Sequence, residues 1–159
     1  MNSEDIEVAV ADHFGIRNCL IVPNASWGVG LHECDLLVVS SSGYLNEIEI
    51  KVTKADLKAD QKKGHQHRSD KIKYLWFAIP SSLYYGEGVV DLIPAHAGIL
   101  VVTHEGVYDS WRVDVKREAT ANKAATPATP AEHYDIARLG ALRIWGLKKR
   151  LRKVREAMC

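Results

Sequence analysis

Cysteine is scarce in this 159-residue chain, and the three present, Cys19, Cys34 and Cys159, are odd in number and far apart. That spacing fits neither a disulfide framework nor a zinc knuckle, so a reducing, cytoplasmic setting is expected. Long apolar runs are missing: none approaches the ~20 residues of a membrane span. The opening MNSEDIEVAV is acidic and lacks the basic-then-apolar plan of a secretory signal, so no membrane partner is expected. Net charge is nearly absent as well, at +1, but it is unevenly distributed. Residues 132–159 hold eight Lys/Arg against three Asp/Glu, a surplus of +5 that leaves −4 for the other 131 residues. A basic tail on an acidic body suits a polyanionic partner, and equally a solvated helix face.

What remains is an ordinary globular composition, 47% hydrophobic and 26% charged, in a chain long enough for one cored domain. Ser3 can cap a first helix in which Ile6, Val10 and Phe14 recur at helical spacing until Gly15. A short strand (19–22) and a glycine-rich loop follow. CDLLVV (34–39), the turn SSSG and a strand over 44–52 then form a β-hairpin. Thr53 is placed to cap a helix ending at Gly64, and YLWFAI (74–79) is a buried strand closed by Pro80. AGILVV (97–102) and VYDSWRV (107–113) make another hairpin, whose place relative to the first is not readable. Residues 119–131 are Ala, Thr and Pro with little to bury, and are expected to be a linker. Beyond it Ile136, Leu139, Leu147, Leu151, Val154 and Met158 stripe a long basic helix. Three parts result: a domain over 1–118, a linker over 119–131 and a helix over 132–159. The class is α/β or α+β around a mixed central sheet flanked by helices.

The stretch EIEIKV (47–52) alternates with period two, placing Glu47, Glu49 and Lys51 on one strand face and Ile48, Ile50 and Val52 on the other. Hairpin pairing brings Asp35 opposite residues 48 to 50, where facing Cβ atoms are only about 5 Å apart. Two carboxylates so close repel by about 4 kcal/mol at an effective dielectric of 20. A divalent cation removes that penalty, and magnesium favours one or two carboxylates with water and phosphate oxygens. Lys51 projects from the same face as Glu49, where it can steady charge on a phosphate or its attacking water. The plainer alternative is a set of cross-strand ion pairs on an exposed sheet.

Asp35, thirteen residues, then Glu49-Ile50-Lys51, with a helix carrying Glu7 upstream, resembles the PD-(D/E)xK nuclease superfamily. The stretches VPNASWG, HECDLLVV, GYLNEIEIKVTKADLKADQKK and KIKYLWFAIP are similar to small phage and bacterial DNA-repair nucleases of that superfamily. The layout is also that of archaeal Holliday-junction resolvases. The similarity is closest over 1–80, and the linker and final helix fall outside it. The resemblance implies a restriction-endonuclease-like core and metal-dependent hydrolysis of DNA phosphodiesters. It implies Mg2+, or Mn2+, on Asp35, Glu49 and the backbone carbonyl of Ile50. It makes Lys51 the residue that orients the attacking water and Glu7 a helix acid near the metal, with Glu4 one turn away as the alternative. Cys34 stands where the motif's proline would be.

Further residues have two readings each. Trp27 in its glycine-flanked loop either stacks on a base or packs under its own loop. Lys63, His65, His67 and Arg68 form a basic run that contacts phosphates or meets solvent; no cysteine lies near the histidines to complete a zinc site. Glu33 is expected to be a loop carboxylate rather than a third metal ligand, Glu47 a solvated or salt-bridged neighbour, and Asp56 and Asp60 to pair with nearby lysines along their helix. On the last helix Lys148, Lys149 and Arg152 face phosphates or an acidic protein, while the apolar stripe docks on the domain or on a second copy in a homodimer. The expected function is a Mg-dependent endonuclease. The alternatives are a non-cleaving nucleic-acid binder of the same fold and a protein-interaction module.

Overall fold

The computed structural model describes residues 1–25, 30, 32–61, 67, 69–106 and 110–158. Helix α1 spans Ser3–Phe14. Its cap is Asn2 rather than Ser3, because Asp5 at the third helical position returns the hydrogen bond and closes a capping box. Gly15, at φ 86°, ends the helix in the left-handed region.

Six strands form one mixed sheet in sequence order: β1 (Leu20–Ala25), β2 (Cys34–Val39), β3 (Leu45–Ile50), β4 (Ile72–Pro80), β5 (Gly98–Glu105) and β6 (Ser110–Arg117). The β1–β2, β2–β3 and β5–β6 pairs are antiparallel, whereas β3–β4 and β4–β5 are parallel. The second hairpin thus joins the first through β4. Parallel pairing requires crossovers: helix α2 (Lys54–Asp60) links β3 to β4, and the short helix α3 (Ser81–Tyr84) lies between β4 and β5. Thr53 caps α2 as expected, sharing a capping box with Asp56, but the helix stops at Asp60.

One sheet face packs on α1: Ile6, Ala9 and Val10 meet Leu36, Val38, Ile48, Trp76, Ala78 and Leu100. The other carries two separate apolar clusters. Leu37, Val39, Leu45 and Ile72 pack beneath helix α4 (Pro130–Ala157) through Ile136 and Leu139. Leu75, Phe77, Ile79, Ile99 and Val101 pack with Leu57 of α2. Between these clusters lies the charged face of β3. That strand is buried along its whole length, so its alternation separates an apolar interior face from a charged interior face.

Residues 119–129 run along the domain with their backbone bonded to it. Thr120 N donates to His96 O (2.8 Å), Asn122 N to Lys73 O (2.9 Å) and Ala128 N to Gly43 O (2.9 Å). The Asn122 amide donates to the carbonyls of Ser69 and Ile72, and Ala125 is buried. α4 rests on β1 through its first half, with the Gly140 backbone against Val22. Its second half exposes Trp145, Leu147, Leu151 and Val154. No helix among the described residues is long and apolar enough to cross a membrane.

Candidate metal and catalytic centre

The β2–β3 register pairs Leu36 with Ile48, and one further step sets Asp35 opposite Glu49. There the Asp35 side chain takes over from the backbone ladder: its Oδ2 accepts the Ile50 N–H at 2.8 Å. Asp35 is at the mouth of the centre with its side chain 42% exposed, while Glu49 is 1% exposed. On the far side β3 pairs with β4, and Lys51 N donates to Ala78 O (3.0 Å), carrying the extended backbone to the lysine.

The Lys51 ammonium is the hub. Its Nζ contacts Glu49 Oε2, lies 3.3 Å from Asp60 Oδ1 and 3.5 Å from Asp35 Oδ2. Burial alone would lower the lysine pKa, but the charges of Glu49, Asp35 and Asp60 outweigh it and hold the pKa above its ordinary value. The group is a fixed cation.

A second set of contacts adjoins the first. His67 Nδ1 lies 2.6 Å from Glu47 Oε1, and its Nε2 lies 2.7 Å from Asp60 Oδ2. His32 Nε2 lies 2.7 Å from the same Glu47 oxygen. Burial pushes the His67 pKa down, yet the hydrogen bonds to Asp60 and Glu47 raise it to about 9. Burial likewise pushes Glu47 up, and the hydrogen bonds from His32 and His67 bring it below the usual carboxylate range. Glu7 on α1 is raised by burial, then by the charges of Asp35 and Glu4. It is half-buried and Glu4 is exposed, so Glu7 is the α1 acid in the field of Asp35. The Cys34 thiol is pushed far up by burial and the surrounding carboxylates, which removes it as a nucleophile.

Among the described residues, four carboxylates (Asp35, Glu47, Glu49 and Asp60) face the Lys51 ammonium and the His67 ring. Such an excess of negative charge in a mostly buried centre favours a bound cation. Two triads can hold a metal ion, His32–Glu47–His67 and Glu49–Asp60–His67, each with ligand atoms within 4.8 Å of one another.

The structure alters several expectations. Of the two readings of Glu47 the salt-bridged one holds, in a buried setting: it is 1% exposed and paired with His32 and His67. Asp60 turns inward to Lys51 and His67, on the same helix face as buried Leu57. His67 is buried, its ring facing carboxylates rather than a phosphate or solvent. Glu33 is exposed, as expected of a loop carboxylate. Trp27, Lys63, His65 and Arg68 lie outside the described residues. Lys148, Lys149 and Arg152 sit on the exposed half of α4, with Lys148 over the Trp145 ring and Arg152 paired to Glu156. Sequence reasoning passed over His32 altogether and read Asp60 as surface; the i, i+3 spacing of Leu57 and Asp60 was the one local signal that Asp60 faces inward.

Comparison with known proteins follows this geometry. A family model described as DNA repair protein MmcB-like matches residues 7–150, and so runs through residues 119–129 into α4. Among solved structures, the fold is similar to the SPO1766 protein of unknown function from Silicibacter pomeroyi. The TM-score is 0.62 at 21% identity, covering 99% of this chain and 94% of that one. No curated protein matches the chain.

Proposed function

The chain belongs to the MmcB-like family of DNA repair proteins, and from that premise we propose that it is a metal-dependent endonuclease of the PD-(D/E)xK type. The observation that carries this reading is the meeting of Asp35, Glu49 and Lys51 at one end of the β2–β3 pair. A DNA-binding surface alone has no need of mutually repelling carboxylates around a buried lysine.

Oxygen donors at the mouth of the centre suit a hard cation such as Mg2+, with Mn2+ as a substitute. Asp35 and Glu49 would hold it, with the Ile50 carbonyl as a third donor and Glu7 approaching from α1. When bound, the ion supplies Lewis-acid neutralisation of the scissile phosphate's charge. Lys51 donates hydrogen bonds to the attacking water and to a phosphate oxygen. The water oxygen bonds to phosphorus as the bond to the leaving sugar oxygen breaks, the water giving up a proton to solvent and the sugar oxygen taking one up from it. Asp60 holds the ammonium from the α2 side, and His67 holds Asp60. The basic half of α4 (Lys148, Lys149, Arg152) adds sequence-independent phosphate contacts. The chemistry is thereby assigned to residues 1–118 and an anchoring role to 132–159.

Incubation with linear and branched DNAs tests the reading. Cleavage that needs Mg2+ or Mn2+ is expected. Tight DNA binding with no cleavage in either metal would instead make the protein a non-cleaving binder of the same fold.

A further inference from the structure

The contacts around Glu47 form a second ligand set that adjoins the one assigned to DNA hydrolysis, with His67 Nδ1 4.0 Å from Glu49 Oε1. We propose that His32 Nε2, Glu47 and His67 Nδ1 bind a second divalent ion of borderline softness, zinc above all, at a site distinct from Asp35–Glu49. Two imidazoles and one carboxylate are a ligand set that zinc takes readily and magnesium does not.

The observations converge on this triad from several sides. Its three ligand atoms lie within 4.8 Å of one another although the residues come from the approach to β2, from β3 and from the segment after α2. Both imidazole nitrogens point at one oxygen, Glu47 Oε1, at 2.7 and 2.6 Å. Glu47 itself is 1% exposed, and its other oxygen, Oε2, is buried with no hydrogen-bond partner among the described residues. A carboxylate oxygen left so is costly unless something binds it. His67 sits at φ 52°, a conformation unusual for a residue with a side chain and one that persists where the surroundings impose it.

The outer shell is in place as well. A ligating histidine characteristically donates its other ring N–H to a carboxylate, which fixes the tautomer and aims the free lone pair. His67 Nε2 lies 2.7 Å from Asp60 Oδ2, so the proton that zinc would displace to solvent is the one on Nδ1, which faces Glu47. A tetrahedral zinc with bonds of about 2.0–2.2 Å needs ligand atoms about 3.3 Å apart, so each ring need only draw back slightly from Glu47. Asp60 then joins the two centres, one oxygen on His67 and the other on Lys51. A zinc on this triad would brace the lysine through Asp60.

The site does not depend on the nuclease reading: zinc binding without DNA cleavage, or cleavage without zinc, separates the two. The test uses the full chain stripped by chelator and titrated with Zn2+ against a competing chelator, with Co2+ as an absorbing substitute. One Zn2+ per chain, a rise in melting temperature and the intense visible bands of tetrahedral Co2+ are expected. Asp35→Asn should retain all three. Asp60→Asn should weaken zinc roughly 10–100-fold, and His32→Ala by more than that. If His32→Ala fails to fold, His32→Gln keeps a polar partner for Glu47 and answers the same question. The assignment is overturned if wild type binds zinc no better than magnesium, if a folded His32 variant binds zinc as wild type does, or if Asp35→Asn abolishes the Co2+ bands.

Discussion

Lys51 is held by three carboxylates in a place where burial alone would lower its pKa. Replacing it with alanine removes a donor to the reacting groups while leaving Asp35 and Glu49 in place. Cleavage by Lys51→Ala is therefore expected to fall by roughly 100- to 1000-fold, with DNA affinity little changed in a binding assay. The carboxylates behave differently. Asp35→Asn and Glu49→Gln should each lose the rise in melting temperature that Mg2+ produces. Asp35→Asn, at the mouth, relieves like-charge repulsion and should cost the metal-free protein little. Glu49→Gln strands the buried Lys51 ammonium and should destabilise it. Thermal unfolding with and without Mg2+ distinguishes these outcomes, and normal magnesium stabilisation in both variants would contradict the ligand assignment.

At the scale of elements, two joints are open to direct measurement. Gly98 of β5 pairs with Trp76 of β4, and a Cβ at Gly98 would lie 2.2 Å from the Trp76 ring. Phe14 of α1 packs edge-on against the same ring, so Trp76 cannot swing aside freely. Gly98→Ala should cost about 1–3 kcal/mol or more in denaturant unfolding. The start of α4 is a second joint. Glu132 closes the capping box with Thr129 and pairs with Lys71 at 2.7 Å. The hydrogen bond from Lys71, then that from the Thr129 backbone, holds its pKa down at about 2 against an ordinary 4.5. A depressed carboxylate contributes stability above its unfolded pKa and loses it as pH falls. The Glu132 contribution should thus be complete above pH 4.5 and fade toward pH 2, and Glu132→Gln should flatten that part of the acid limb of the stability curve. These joints also mark what was legible in the sequence. Period two in residues 47–52 placed Glu47, Glu49 and Lys51 on one face, and the turn at 40–43 set Asp35 opposite residues 48 to 50, which the register narrows to Glu49. Neither signal tells whether a charged face meets water. Burial of that face comes from partners distant in sequence: Asp60 of α2 reaches Lys51, and His32 and His67 meet Glu47 across separations of 15 and 20 residues. Residues 119–129 misled for a related reason: small side chains gave no burial signal, while the backbone supplied the bonds.

For the whole molecule, charge is divided along the chain: the carboxylate cluster lies in the acidic part and α4 holds the basic surplus. If α4 anchors DNA, replacing Lys148, Lys149, Arg152 and Lys153 with glutamine should weaken binding uniformly across sequences. It should also flatten the salt dependence by about 0.9 in log–log slope per lost phosphate contact. Leu147, Leu151 and Val154 stay exposed in that variant, so charge is tested apart from the apolar stripe. An unchanged slope would leave α4 its packing on β1 alone. The central claim, that Asp35, Glu49 and Lys51 form a hydrolytic centre, is tested most directly by incubating wild type and Lys51→Ala with a panel of linear and branched DNAs, with Mg2+ and with chelator. The account predicts metal-dependent strand cleavage by wild type and its near-complete loss in Lys51→Ala. Cleavage by Lys51→Ala within tenfold of wild type, or none by wild type with Mg2+ or Mn2+ on any DNA, would contradict it.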